Sequence, residues 1–123
     1  MPSDGKTNRS MNDPPDSHAH DLELLLHDLW KRNYPTLLER LKTLHDAQSK
    51  LADGSLDNQT RKDAEASAHK LAGVLGTFGL PQGSKLASKI EALLAQETEI
   101  DTERGRELGE WLDELESVVA SKP

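Results

Sequence analysis

The sequence predicts an all-α protein: an antiparallel up-down-up-down four-helix bundle with an additional short N-terminal helix. Three observations carry this expectation. Leu and Ala supply 20 and 11 of the 123 residues, whereas Val and Ile together supply five, a balance that favours helices over a sheet. Apolar residues recur at helical spacing through five segments, and no segment alternates as a half-buried strand would. The turns between segments are short and marked by Pro, Gly or a capping Asp, which makes successive helices mostly antiparallel neighbours.

Residues 1–20 hold three of the six prolines and almost no apolar side chains. Such a stretch cannot bury enough surface to offset its ordering entropy and reads as a disordered tail or linker. A linker there hints at a domain cut from a longer protein. The bundle then occupies 21–123. Asp21 is placed to cap a first helix bearing Leu22, Leu25, Leu26 and Leu29, which should end before Tyr34-Pro35. Pro35 suits the first turn of a second helix, over 35–52, with Leu37, Leu38, Leu41, Leu44 and Leu51 on one stripe. Gly54 and then Gly79-Leu80-Pro81 read as stops. A third helix spans about 57–78. A fourth spans about 82–96, with Leu86, Ile90, Leu93 and Leu94 inward. Asp101 caps a fifth, over 101–120, that carries Leu108, Trp111, Leu112, Leu115, Val118 and Val119. Gly105 and Gly109, one turn apart, either permit a close helix approach or are simply tolerated.

Composition narrows the function. With 15 Lys and Arg against 22 Asp and Glu, the net charge is −7 and aromatics are 3%, unsuited to binding a nucleic-acid backbone. Zero Cys removes disulfides, thiolate metal sites and thiol nucleophiles. Apolar runs such as Leu24-Leu25-Leu26 are far too short for a membrane span or a signal-peptide core. The expectation is a soluble, cytoplasmic monomer.

One residue stands apart from packing. On the third helix Ala64, Ala68, Leu71, Leu75 and Phe78 fall within about 80° of arc and form the core stripe. His69 lies roughly 140° from that stripe and points to solvent. Lys62, Ala66, Gly73 and Gly76 share its face. Two mid-helix glycines penalise stability, but beyond an exposed histidine they leave a low, bare surface over which a partner can reach the ring. A neutral imidazole is a competent nucleophile. Its ring nitrogen can take a phosphoryl group and pass it on, because in-line transfer asks mainly for positioning and charge neutralisation. The domain itself then needs no cofactor and no metal.

The run Ala68-His69-Lys70-Leu71-Ala72-Gly73-Val74-Leu75-Gly76-Thr77-Phe78-Gly79, followed by Leu86 and Ile90-Glu91, resembles the motif of the histidine-containing phosphotransfer (HPt) domain family. It looks especially like an Ala-His-Lys-Leu-Ala-Gly variant of bacterial, notably cyanobacterial, multidomain signalling proteins. The resemblance implies a four-helix bundle in two-component signalling. There His69 would act as phosphoacceptor, exchanging phosphate with the aspartate of a response-regulator receiver domain or a hybrid histidine kinase. It further implies no autokinase activity and the outer faces of the third and fourth helices as docking surface, with Ala66, Lys70, Gly73, Gly76 and Lys89 as binding residues. The family often has Lys three residues after the histidine, where this chain has Ala72. Lys70 and Lys89 are the candidates to replace it; otherwise both are ordinary solvated lysines. The other class of reading is a helical module that binds a signalling partner without carrying phosphate, which leaves the glycines and the exposed histidine without a purpose. His18 and His20 form a weak metal signal in the tail, His27 faces away from its leucine stripe, and His45 reads as a packed boundary residue.

Overall fold

The computed structural model describes the backbone of residues 15–96 and 98–122, which form four helices: α1 (Pro15–Asp53), α2 (Asn58–Thr77), α3 (Pro81–Ala95) and α4 (Thr102–Ser121). The chain divides between Asn33 and Tyr34 into two compact units. The expected break at Pro35 does not occur, and the separate short first helix is the opening half of α1. Asp21 therefore lies inside a helix rather than at its cap, and residues 15–20, expected in the tail, are helical. Residues 1–14 of that tail lie outside the described residues.

Two facts explain why the proline is absorbed. Apolar residues recur at helical spacing on both sides of it, Trp30 before and Leu37, Leu41, Leu44 and Ala47 after, and each is buried. Pro35 is also exposed, so the carbonyl deprived of its N–H partner is on the side open to water. Just before it, the Asn33 side-chain amide donates to the Leu29 carbonyl at 2.8 Å, adding a bond to the turn that the proline weakens. Within the first unit the expected leucine stripe is only partly covered. Leu22 and Leu25 are more than half exposed, Leu26 and Leu29 are half-buried, and Trp30 is the buried residue.

The second unit is an antiparallel four-helix bundle. Its turns follow from local chemistry. Gly54 and Gly79 take φ of +80° and +75°, the left-handed conformation that glycine enters without a Cβ penalty. Behind them Ser55 N donates to the Lys50 carbonyl at 2.8 Å and Leu80 N to the Leu75 carbonyl at 2.9 Å, closing α1 and α2. Asp57 and Asp101 cap α2 and α4, accepting from Thr60 N at 2.7 Å and Arg104 N at 2.8 Å. Pro81 occupies the first turn of α3, where its missing N–H costs nothing.

The core is wholly apolar among the described residues. Leu37, Leu44, Leu71, Leu75, Ile90, Leu93, Leu94, Leu108, Leu112, Leu115 and Val119 are its largest fully buried side chains. Leu38, expected on the α1 stripe, is exposed; Phe78, Trp111 and Val118 are half-buried at the edges. Small residues set the helix spacing. A Cβ on Gly83 of α3 would lie 3.1 Å from both Leu75 Cδ1 and Val118 Cγ1, so this glycine lets α2, α3 and α4 meet. A Cβ on Gly109 would lie 3.1 Å from Gln48 Nε2, and one on Gly105 3.4 Å from Leu51 Cδ2. The α4 glycines therefore face α1, Gly105 at ordinary contact distance and Gly109 against the end of the Gln48 side chain. His45 of α1 is half-buried in the same seam and pairs with Glu116 of α4.

Candidate functional site

The phase of α2 decides what its outer face presents. With Ala64, Ala68, Leu71 and Leu75 buried, His69 is turned outward and its side chain is 74% exposed. Ala66 and Lys70 are exposed beside it, and Lys62 two turns upstream. One turn beyond, a Cβ on Gly73 would meet nothing within 4 Å. Gly76 is exposed as well but lies against α3, where a Cβ would contact Ser84 Oγ at 3.5 Å. The bare surface beside the histidine is thus Gly73 in the open and Gly76 at the edge of the α2–α3 seam.

That seam is clamped on both sides of His69. Toward the turn, Ser84 Oγ donates to the Ala72 carbonyl at 2.8 Å. At the far end Arg61 of α2 donates from Nε to the Leu94 carbonyl at 2.8 Å, and from a terminal guanidinium nitrogen to the carbonyls of Gln96 and, at 3.1 Å, Thr98. The two clamps fix the antiparallel register of α2 and α3. Between them Glu91 of α3 faces His69, with Oε2 3.0 Å from Nδ1. A carboxylate can only accept, so the ring donates from Nδ1 and leaves the Nε2 lone pair outward. A shallow groove of about 390 Å³ lies at the Arg61 end of the seam, lined by Asn58, Lys62, Glu65 and Ala95 among others.

Glu91 entered the sequence reading as part of a motif, without a role. The signal for that role was present: His69 and Glu91 lie eleven residues before and eleven after Leu80, the middle of the α2–α3 connection, so an antiparallel hairpin brings them level. The same arithmetic puts Lys89 near the right height but on the wrong side. Two residues along a helix rotate a side chain by about 200°, and the Lys89 ammonium sits over the Trp111 ring of α4, 5.8 Å from its centre. Ala72 is half-buried under the seam. The remaining histidines are placed apart from the site: His20 and His27 are exposed on α1, and His45 is engaged by Glu116. His18 lies where side chains are not described. Among the described residues no group of three or more His, Cys, Asp or Glu is arranged to hold a metal ion, and no helix is long and apolar enough to cross a membrane.

The Hpt domain family matches residues 25–120. This chain belongs to that family. Hpt domains are phosphotransfer modules of two-component signalling rather than kinases, and they work with response regulators and kinases in phosphorelays. Among curated proteins, Protein RcaC of Microchaete diplosiphon is 35% identical over 78 residues, which is 63% of this chain but 12% of that protein. No solved structure matches.

Proposed function

We propose that this Hpt domain is a phosphorelay intermediate in which His69 accepts a phosphoryl group on Nε2 and exchanges it with the aspartate of a receiver domain. The observation that carries this reading is the pairing of an exposed imidazole with Glu91 at Nδ1. It leaves the other nitrogen outward, where its lone pair can act as nucleophile. In the transfer the Nε2 lone pair forms the N–P bond, while the acyl-phosphate P–O bond breaks and its electrons stay on the partner's carboxylate. The partner holds the divalent cation of this step. Gly73 and Gly76 keep the approach low, and the outer faces of α2 and α3 form the docking surface, with Ala66 and Lys70 beside the ring. Nothing in this assignment asks for a nucleotide site or for autokinase activity. The domain acts as a monomer in the cytoplasm.

The test is phosphate uptake by His69→Gln from a phosphorylated receiver. Little packing is lost at so exposed a position, so helicity and melting temperature should stay near wild type while uptake disappears. Equal labelling of wild type and variant, or labelling that moves to His45, would refute the assignment.

A further inference from the structure

His69 holds a proton at Nδ1 throughout the reaction just described, and what surrounds that proton has a chemical consequence. When Nε2 attacks phosphorus, Nδ1 keeps its hydrogen and the ring becomes a phosphoimidazolium. The ordinary fate of such a ring in water is loss of the Nδ1 proton, which turns it into a neutral phosphoimidazole with a lone pair at Nδ1. The neutral form gives up its phosphoryl group reluctantly, because breaking its N–P bond must expel an imidazolate anion. The protonated form expels neutral imidazole and is the better donor.

Here that lone pair would face the Glu91 carboxylate at about hydrogen-bond distance, lone pair against negative charge. The protonated ring, by contrast, forms a charge-assisted bond with it. The other charged groups near the ring on α2 are Lys62 and Glu65 upstream, of opposite sign, and the adjacent Lys70. The positions downstream, Ala72, Gly73 and Gly76, carry no charge. From α3, Ser84 is spent on the Ala72 carbonyl and Lys89 is drawn to Trp111, so that Glu91 is the charged α3 group in contact with the ring.

We infer that Glu91 is a positioning residue that holds the Nδ1 proton on phosphorylated His69, which keeps the phosphoryl group in its readily transferred form. The inference rests on the phosphoacceptor reading above and deepens it. A domain built this way passes phosphate on rather than storing it. The same lability exposes it to water: a water oxygen attacks phosphorus, the N–P electrons return to Nε2, and both water protons leave with the phosphate as dihydrogen phosphate. The supplying reaction must then be a fast acyl-phosphate donor, because a slow one would be outrun by hydrolysis.

Glu91→Gln separates charge from placement, since its amide oxygen can still accept from Nδ1 but carries no charge. The whole chain is labelled with the small-molecule donor phosphoramidate, freed of it, and phosphohistidine is followed over time across the neutral and alkaline pH range. In the wild type the fast-loss regime should extend to higher pH. Glu91→Gln should lengthen the lifetime about two- to fivefold at mildly alkaline pH, the size of one partly exposed charge pair, and should move the end of the fast regime to lower pH. Glu91→Ala, read alongside for helicity, should match it. If Glu91→Gln keeps the wild-type lifetime and pH profile, Glu91 only orients the ring and the inference is wrong. If phosphoramidate labels a histidine other than His69, both the phosphoacceptor reading and this inference fall. If His69 is labelled but the profiles coincide, this inference alone falls.

Discussion

Replacing Gly73 by Leu separates the fold from the transfer reaction. No atom outside the helix backbone lies within 4 Å of where the new Cβ would stand, so the substitution meets no steric cost. Glycine is the poorest helix former after proline, and Leu in its place should add about 0.8 kcal/mol of stability. For a chain of this size that is a rise in melting temperature of roughly 3–5 °C. A leucine side chain on a helix leans over the preceding turn, and the residue four positions back is His69. The isobutyl group would therefore stand in the path by which a receiver's acyl phosphate reaches Nε2 in line. Thermal unfolding followed by circular dichroism should show equal or higher stability, and transfer from a phosphorylated receiver should fall at least tenfold, the cost of a misplaced approach. Phosphoramidate, a small donor, should still label His69 to a larger residual extent. A loss of stability would show that Gly73 faces a packed surface. Receiver transfer at the wild-type rate would put the docking surface elsewhere.

Gly83→Ala is the opposite case. The added methyl would press at 3.1 Å on Leu75 and Val118, and Leu75 is fully buried with no room to yield, so overpacking should outweigh the propensity gain and cost about 1 kcal/mol in urea unfolding; an unchanged midpoint would show that the three helices separate easily. Asp57 tests a cap through pH. The Thr60 N–H bound to its carboxylate holds it below the ordinary carboxylate range, so its contribution is present at neutral pH and is lost as pH falls through that lowered value. Asp57→Ala should be less stable than wild type near neutrality, and the difference should vanish in acid; a difference independent of pH would mean that the carboxylate's charge plays no part.

How much of this was legible in the sequence depends on the range over which each signal acts. Asp57, Gly54, Gly79, Pro81 and Asp101 work within a single turn of chain, and each punctuates the fold where expected. The core of α2 and α3 follows from a periodicity that the structure keeps, and with it the outward aim of His69. Pro35 misled because a local rule was weighed above a longer one: apolar residues recur at helical spacing on both sides of the proline, and the helix continues through it. Leu22 and Leu25 misled in the other direction, since helical spacing shows which residues share a face but not whether anything covers it. Glu91 and Gly83 act between helices, and only the antiparallel register reveals what they touch.

That register turns the short connection Phe78–Leu80 into a ruler. Surface loops usually tolerate an added residue at small entropic cost. Here α3 starts where Gly79 reverses the chain, and everything on α3 is indexed from that point. One extra residue in the connection, with the start of α3 held where Gly79 reverses the chain, would present the neighbour of Glu91 to the imidazole, swung by about 100° and displaced by 1.5 Å along the axis. The Nδ1 contact would be lost although both side chains remained. The length of a three-residue turn roughly 13 Å along the helix from His69 is in this sense part of the site. Tolerance to insertion should be low there and ordinary at the turn between α1 and α2, which sets no such distance.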